Sequence, residues 1–179
     1  MPVLLVLTVV AGIGLILFQP WKAFTDTTVD EALPSASAPA TNGGPAMQGE
    51  ARVNGGEPSA QNTGPKDLAT GRFVTHEHDT SGTARVVRLA DGGRVLRFED
   101  LKTSEGPDVR VYLSTRDDDA AKEGLGDGAL ELGKLKGNLG NQNYTVPAGT
   151  DLSRFHSAVI WCERFSVSFG AADLARIKS

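Results

Sequence analysis

A chain of 179 residues and 18.8 kDa has room for one ordinary domain plus accessory sequence, and not for two comfortable domains. Its formal net charge of −4, pI near 5.4 and scattered basic residues exclude the electrostatic footprint of a nucleic-acid binder. The single cysteine, Cys162, excludes an internal disulfide, and no Cys/His spacing resembles a structural zinc site, so the domain must stand on its hydrophobic core.

The chain opens with an apolar, uncharged run from Val3 to Phe18, broken only by Thr8 and two glycines. As a helix the run reaches roughly 24 Å, short of the roughly 30 Å hydrocarbon core, and extension over Met1 to Trp21 makes an adequate span. No polar face interrupts it, which argues against a buried globular helix. Signal-peptidase cleavage needs small residues just after the apolar core, whereas Gln19-Pro20-Trp21-Lys22 follow. Residues 1–21 are therefore expected to form an uncleaved transmembrane signal-anchor, which makes the membrane the first expected partner.

Residues 22–65 are expected to form a linker. From about Asp26 to Gly64 the composition turns to Ala, Pro, Ser, Thr, Gly and Asn. Such a segment cannot bury enough surface to offset roughly 1 to 2 kcal/mol of ordering entropy per residue, so the expectation is a disordered tether. As a flexible coil of about 40 residues it would reach roughly 35 Å.

Residues 66–179 carry the punctuation of a β protein, with turn signals at Ser81-Gly82, Asp91-Gly92-Gly93, Gly106-Pro107-Asp108 and Pro147-Ala148-Gly149. Strands are predicted over Arg72 to His78, Thr83 to Leu89, Arg94 to Glu99, Val109 to Ser114, Leu130 to Leu135, Gln142 to Val146, Ala158 to Cys162 and Phe165 to Phe169. Short strands at near-regular spacing predict an all-β fold, an antiparallel β-sandwich or barrel-like single domain. Helix is expected only as a turn near Asp117 to Glu123 and at the C-terminal Ala171 to Lys178.

The series Gly71-Arg72-Phe73, His78-Asp79-Thr80-Ser81-Gly82, Leu96-Arg97-Phe98-Glu99-Asp100-Leu101, Gly106-Pro107-Asp108-Val109-Arg110-Val111-Tyr112-Leu113-Ser114 and Ser157-Ala158-Val159-Ile160-Trp161-Cys162 resembles the DM-thirteen domain. So do Leu132 to Gly140, Gln142 to Pro147 and Phe165 to Gly170, and the likeness spans nearly all of Lys66 to Leu174. The resemblance implies a β-sandwich-like fold and a proposed electron-transfer role. It also implies an exported head on a small, single-pass bacterial membrane protein, with a membrane or envelope redox protein as partner. Cys162 matches the cysteine on which the family's redox proposal rests, and His78 also falls on a family position.

The residues themselves leave Cys162 two roles. In the run Val159-Ile160-Trp161-Cys162 it is either a small core residue or a redox residue near a strand end. A straight strand puts Ile160 and Cys162 on one face and Val159, Trp161 and Phe165 on the other. The alternative is a tight turn at Glu163-Arg164. A lone thiol excludes dithiol exchange within the chain, leaving metal- or haem-borne electron transfer, sulfenic acid or persulfide chemistry, or a mixed disulfide with a partner.

His76 and His78, expected on one strand face, and His156, six residues before Cys162, would complete a copper-like ligand set with the thiolate. Surface histidines on a hairpin are the plainer reading, and no residue requires copper, haem or any other cofactor. Asp108 is expected in an Asx-turn, Asp117-Asp118-Asp119 in a solvated acidic turn, and Ser81 and Ser157 lack a nucleophile-elbow context. Nothing points to a stand-alone enzyme. The alternative to a redox accessory is a non-enzymatic extracytoplasmic binding module with a structural, buried cysteine.

Overall fold

The computed structural model describes residues 25–34 and 64–177. The transmembrane anchor expected over 1–21 and most of the expected tether lie outside these residues. Among the described residues no helix is long and apolar enough to cross a membrane.

The described chain is all-β, as the turn spacing predicts. Its strands are β1 (Thr28–Asp30), β2 (Lys66–Thr75), β3 (Ser81–Arg88), β4 (Arg94–Lys102) and β5 (Val109–Ser114), followed by β6 (Leu130–Lys134), β7 (Leu139–Val146), β8 (Ser157–Cys162), β9 (Val167–Asp173) and β10 (Ala175–Arg176). Short 3₁₀ turns occupy Ala120–Glu123 and Leu152–Arg154. The strands form one curled half-barrel sheet in the order β1-β7-β4-β3-β2-β9-β8-β5-β6, with β10 on β2. Every pairing is antiparallel except that of β1 with β7.

β2 makes the curl. Its first part, Lys66–Arg72, pairs with β3, and its end, Phe73–Thr75, pairs with β9, so one strand carries the sheet around the corner. The register shift between Asp67 and Ala69 marks a bulge, which adds the bend that a flat ladder would lack. Between β6 and β7 the closure is made by side chains. The Lys136 N–H donates to Gln142 Oε1 and to Tyr144 Oη, each at 3.2 Å.

Alternation along the strands sorts residues between two apolar clusters. The larger fills the concave side and includes Leu96, Phe98, Val111, Leu113, Tyr144, Ile160, Cys162 and Phe169. The smaller lies on the outer side of β5, β8 and β9 and holds Tyr112, Ala121, Val159, Trp161 and Ala171. The segment between β5 and β6 covers that outer side through Ala121, Leu125 and Ala129. All six residues of β8 are therefore buried, which is why its sequence reads as a continuous apolar run.

Two local expectations need correction. The C-terminal helix over Ala171 to Lys178 is absent over its described part, where Ala171–Asp173 ends β9 and Ala175–Arg176 forms β10. Ala171 and Ala172 are fully buried opposite Val159 and Ala158, and this pairing outweighs alanine's weak intrinsic preference for helix. Residues 25–34, assigned to the disordered tether by composition, are instead seated on the domain through β1. Their partners are polar backbone and side-chain groups 66 to 112 residues away, which composition does not register.

Candidate functional site

The two segments with the most specific sequence meet at one end of the half-barrel. β5 opens directly after Gly106-Pro107-Asp108, and β8 closes on Trp161-Cys162. Their antiparallel register sets Val109 opposite Cys162 and Arg110 opposite Trp161. The Glu163 N–H then donates to the Asp108 carbonyl at 2.9 Å, locking the end of one segment to the start of the other.

Cys162 is free, has no solvent exposure, and belongs to the concave cluster with Val109, Ile160 and Phe169. Ile160 and Cys162 share that side, while Val159 and Trp161 share the other, as alternation predicts. The chain reverses immediately after the thiol. Residues 163–166 form the turn into β9, with Ser166 at a φ of 52° and Phe165 about half exposed. The strand expected from Phe165 therefore begins at Val167, because the two preceding residues are spent on the reversal.

The histidines do not share a strand face. β2 ends at Thr75, and His76 and His78 follow in a bend. His76 Nδ1 lies 2.7 Å from Ser168 Oγ, whereas the His78 ring lies against Phe169, with centroids 3.9 Å apart. Ser168 and Phe169 are successive strand residues and point to opposite faces, so the two imidazoles diverge. His78 approaches the cluster holding Cys162 through the ring of Phe169. The buried His76 Nε2 has no hydrogen-bond partner among the described residues. Burial, aided by Lys122, holds this imidazole below its usual pKa against the pull of Asp118, Asp119 and Glu77.

His156 is exposed at the opposite end of β8, about 20 Å from Cys162 at roughly 3.3 Å per residue. Among the described residues no three His, Cys, Asp or Glu side chains converge as an ion-binding group. The imidazoles and the thiol thus do not fit a copper centre.

A cavity of about 320 Å³ opens beside Gly106-Pro107-Asp108, between that loop and the β6–β7 connection. Thr27 and Glu105 line one side and Lys134, Lys136 and Asn138 the other. Among the described residues the lining contains no His, Cys, Met or Tyr, a donor set that does not fit an axially ligated haem. Val109 belongs both to this lining and to the cluster around Cys162, and Leu135, also in the lining, packs against that cluster.

On the outer face a polar network spans the same end. Arg110 Nε donates to Asp108 Oδ1 at 3.0 Å and its Nη2 to Oδ2 at 3.2 Å, while its Nη1 donates to Glu131 Oε1 at 2.8 Å. The guanidinium holds the Asp108 carboxyl below the usual carboxylate range. Asp108 therefore spends its carboxylate on Arg110 and only its backbone carbonyl on the turn. Tyr112 Oη donates its one proton to Glu163 Oε1 at 2.5 Å, with Glu131 Oε2 a second carboxylate oxygen 3.2 Å away. Burial and these two carboxylates push the phenol pKa well up.

Asp117 Oδ1 accepts from the Ala120 N–H at 2.8 Å, Asp118 N–H donates to Asp173 Oδ1 at 2.6 Å, and Asp119 pairs with Lys122 at 2.6 Å. These bonds shape the loop and fasten it to the end of β9. Ser157 Oγ donates to the Arg116 carbonyl at 2.8 Å.

Sequence reasoning missed Tyr112, Glu131, Glu163 and the Thr27–Glu105 wall of the cavity. Tyr112 and Glu131 carry one faint signal, polar residues alternating with apolar ones in β5 and β6, and Glu163 carries only its place in the turn after β8. The fourth carries none, because Thr27 and Glu105 are joined only by the docking of β1.

A family model described as electron transfer DM13 matches residues 72–174. No curated protein and no solved structure matches the chain.

Proposed function

Because the chain belongs to the electron transfer DM13 family, we propose that it is a membrane-tethered, extracytoplasmic redox accessory in which Cys162 is the residue that changes oxidation state. The observation that carries this reading is the pairing of Val109 with Cys162, which brings the Gly106-Pro107-Asp108 and Trp161-Cys162 segments into one site. The tether rests on the apolar run within residues 1–21.

A lone thiol acts with a partner. The Cys162 thiolate attacks a partner's disulfide, a mixed disulfide forms, and the partner's other sulfur leaves as a thiolate. The turn at 163–166 is the gate for that step, since it ends the strand on which the enclosed thiol sits.

A second reading is favoured by the zero exposure of Cys162 among apolar neighbours. In it the cysteine is structural, the protein is a non-enzymatic extracytoplasmic binding module, and the polar cavity beside Asp108 receives the ligand.

One experiment separates the two. The full chain, reduced and in detergent, is titrated with a small disulfide reagent with and without denaturant, and absorption and metal content are recorded. The redox reading expects a slow native reaction at Cys162 that speeds up when the turn is loosened by Glu163→Gly. A thiol silent until global unfolding in both proteins removes it and leaves the binding module.

A further inference from the structure

We propose that the edge of β7 is an acceptor site for an extended acidic peptide. Its ligand is the chain's own membrane-proximal segment, residues 25–34, so that the domain is held close to the bilayer and not at the end of the linker. The second part rests on the reading of residues 1–21 as a membrane anchor.

The site is built to receive a strand. β1 lies parallel to β7 with Thr28 opposite Leu139 and Asp30 opposite Asn141, flanked by the Leu139 N–H to the Thr27 carbonyl at 3.2 Å and the Glu31 N–H to the Asn141 carbonyl at 2.8 Å. Two glycines make the room. A Cβ on Gly137 would stand 2.4 Å from the Thr27 carbonyl oxygen, and one on Gly140, which has a φ of +95°, would stand 2.2 Å from that of Val29. Any larger residue at either place would close the groove.

The acceptor side chains read acidic groups at fixed intervals. Asn138 Nδ2 donates to Asp26 Oδ1 at 2.8 Å and Asn141 Nδ2 to Asp30 Oδ1 at 2.7 Å. Lys136 Nζ holds both Glu31 carboxylate oxygens, at 2.7 and 2.9 Å, and the Asn143 N–H donates to Glu31 Oε2 at 2.8 Å. Arg97 Nη1 and Asn143 Nδ2 donate to the Glu31 and Ala32 carbonyls, each at 2.9 Å. With the segment in place Arg97, Asn138 and Asn143 are buried, so these donors meet the peptide inside the domain and out of contact with solvent. This is strand addition at a sheet edge with side-chain selectivity.

The geometry sets a distance. Thr25 follows Trp21 by four residues, which span at most about 14 Å of extended chain. The docked segment, not the linker from residue 35 to the start of β2, is then the shorter of the two leashes.

The test uses the full chain in phospholipid vesicles, with hydrogen exchange read by mass spectrometry. Backbone amides at Thr27, Glu31, Leu139 and Asn143 are expected to exchange at least about 100-fold more slowly than unprotected chain. Glu31→Lys should abolish that protection, and Glu31→Lys with Lys136→Glu should restore most of it. Energy transfer from a dye on an introduced Lys102→Cys residue to a headgroup dye should fall in the single variant and recover in the double. Fast exchange over 25–34 in the vesicle-bound wild type overturns the proposal. Protection of 25–34 in a chain that stays soluble removes the anchor reading, and the bilayer distance with it, and leaves the acceptor site standing.

Discussion

Tyr112 Oη donates to Glu163 Oε1 at 2.5 Å across 51 residues of sequence, tying the outer face of β5 to the turn that follows Cys162. The hydrogen bond is charge-assisted and its donor side chain is buried, while the acceptor is partly exposed. Tyr112→Phe is expected to lower stability by about 1 to 2 kcal/mol, with Glu163→Gln costing less because the amide oxygen still accepts. Urea unfolding measures both. An unchanged midpoint for Tyr112→Phe would mean that the turn is held by the Glu163 N–H to Asp108 carbonyl bond alone.

Cys162 makes a prediction by ordering. Replacing a fully buried thiol with Ala removes one apolar-like group and is expected to cost about 1 to 2 kcal/mol. Cys162→Ser keeps the volume but buries a hydroxyl among Val109, Ile160 and Phe169, and is expected to cost about 1 kcal/mol more than Ala. Chemical denaturation that found Ser the milder change would place a polar partner beside Cys162.

Gly71 lies where β2 passes from one half of the sheet to the other. A Cβ there would fall 1.6 Å from the Asp173 carbonyl oxygen, and that neighbour is backbone, with no rotamer to yield. Gly71→Ala is expected to cost about 3 kcal/mol or more and to separate β2 from β9. Circular dichroism and urea midpoints check it; a near-native midpoint would show that the two strands can part at little cost.

The acid side of the stability profile follows from five groups, four with lowered pKa values and one with a raised one. Burial alone would raise the carboxyls of Glu31 and Glu99, but Lys136 and Asn143 for the first, and Arg97 and Arg85 for the second, outweigh it and hold both below the ordinary value. Asp108 is held low by Arg110, and His76 is lowered by burial. Each has a folded pKa below its unfolded one, so its contribution is complete above the unfolded pKa and is lost as pH falls through the folded value. Asp173 works the other way: burial and its acidic neighbours Asp117 and Asp118, against the Asp118 N–H, raise its pKa. Its contribution is present at low pH and is lost as pH rises through the folded value. Stability is expected to fall first below about pH 6.5, as His76 is forced to protonate, and more steeply below about pH 4. Thermal melts from pH 3 to 8 test the profile, and His76→Gln should flatten its upper part.

The fold was largely legible because each strand carries its own alternation and each turn its own Gly, Pro or Asp. Val109, Val111 and Leu113 point to the concave cluster, and β5 spans the residues its pattern marks. The misjudged ends are those where a partner decides. Ala171 and Ala172 read as helix until β8 and β2 are set on either side of them. Of the site, Cys162 and its face were readable from a period of two, whereas the divergence of His76 and His78 was not. It depends on β2 stopping at Thr75 and on two neighbouring residues of β9 facing opposite ways.

By itself, the sequence determined the all-β class, the family and the sharing of a face by Ile160 and Cys162, because these depend on local pattern and backbone geometry, while it left the reversal after the thiol as one of two alternatives. Only the tertiary structure decided that Cys162 is enclosed, that Val109 stands both in its cluster and in the lining of a polar cavity, that Tyr112 reaches Glu163, and that residues 25–34 belong to the domain. Each of these rests on pairing between residues far apart in the chain, where a side chain's surroundings are set by strands other than its own.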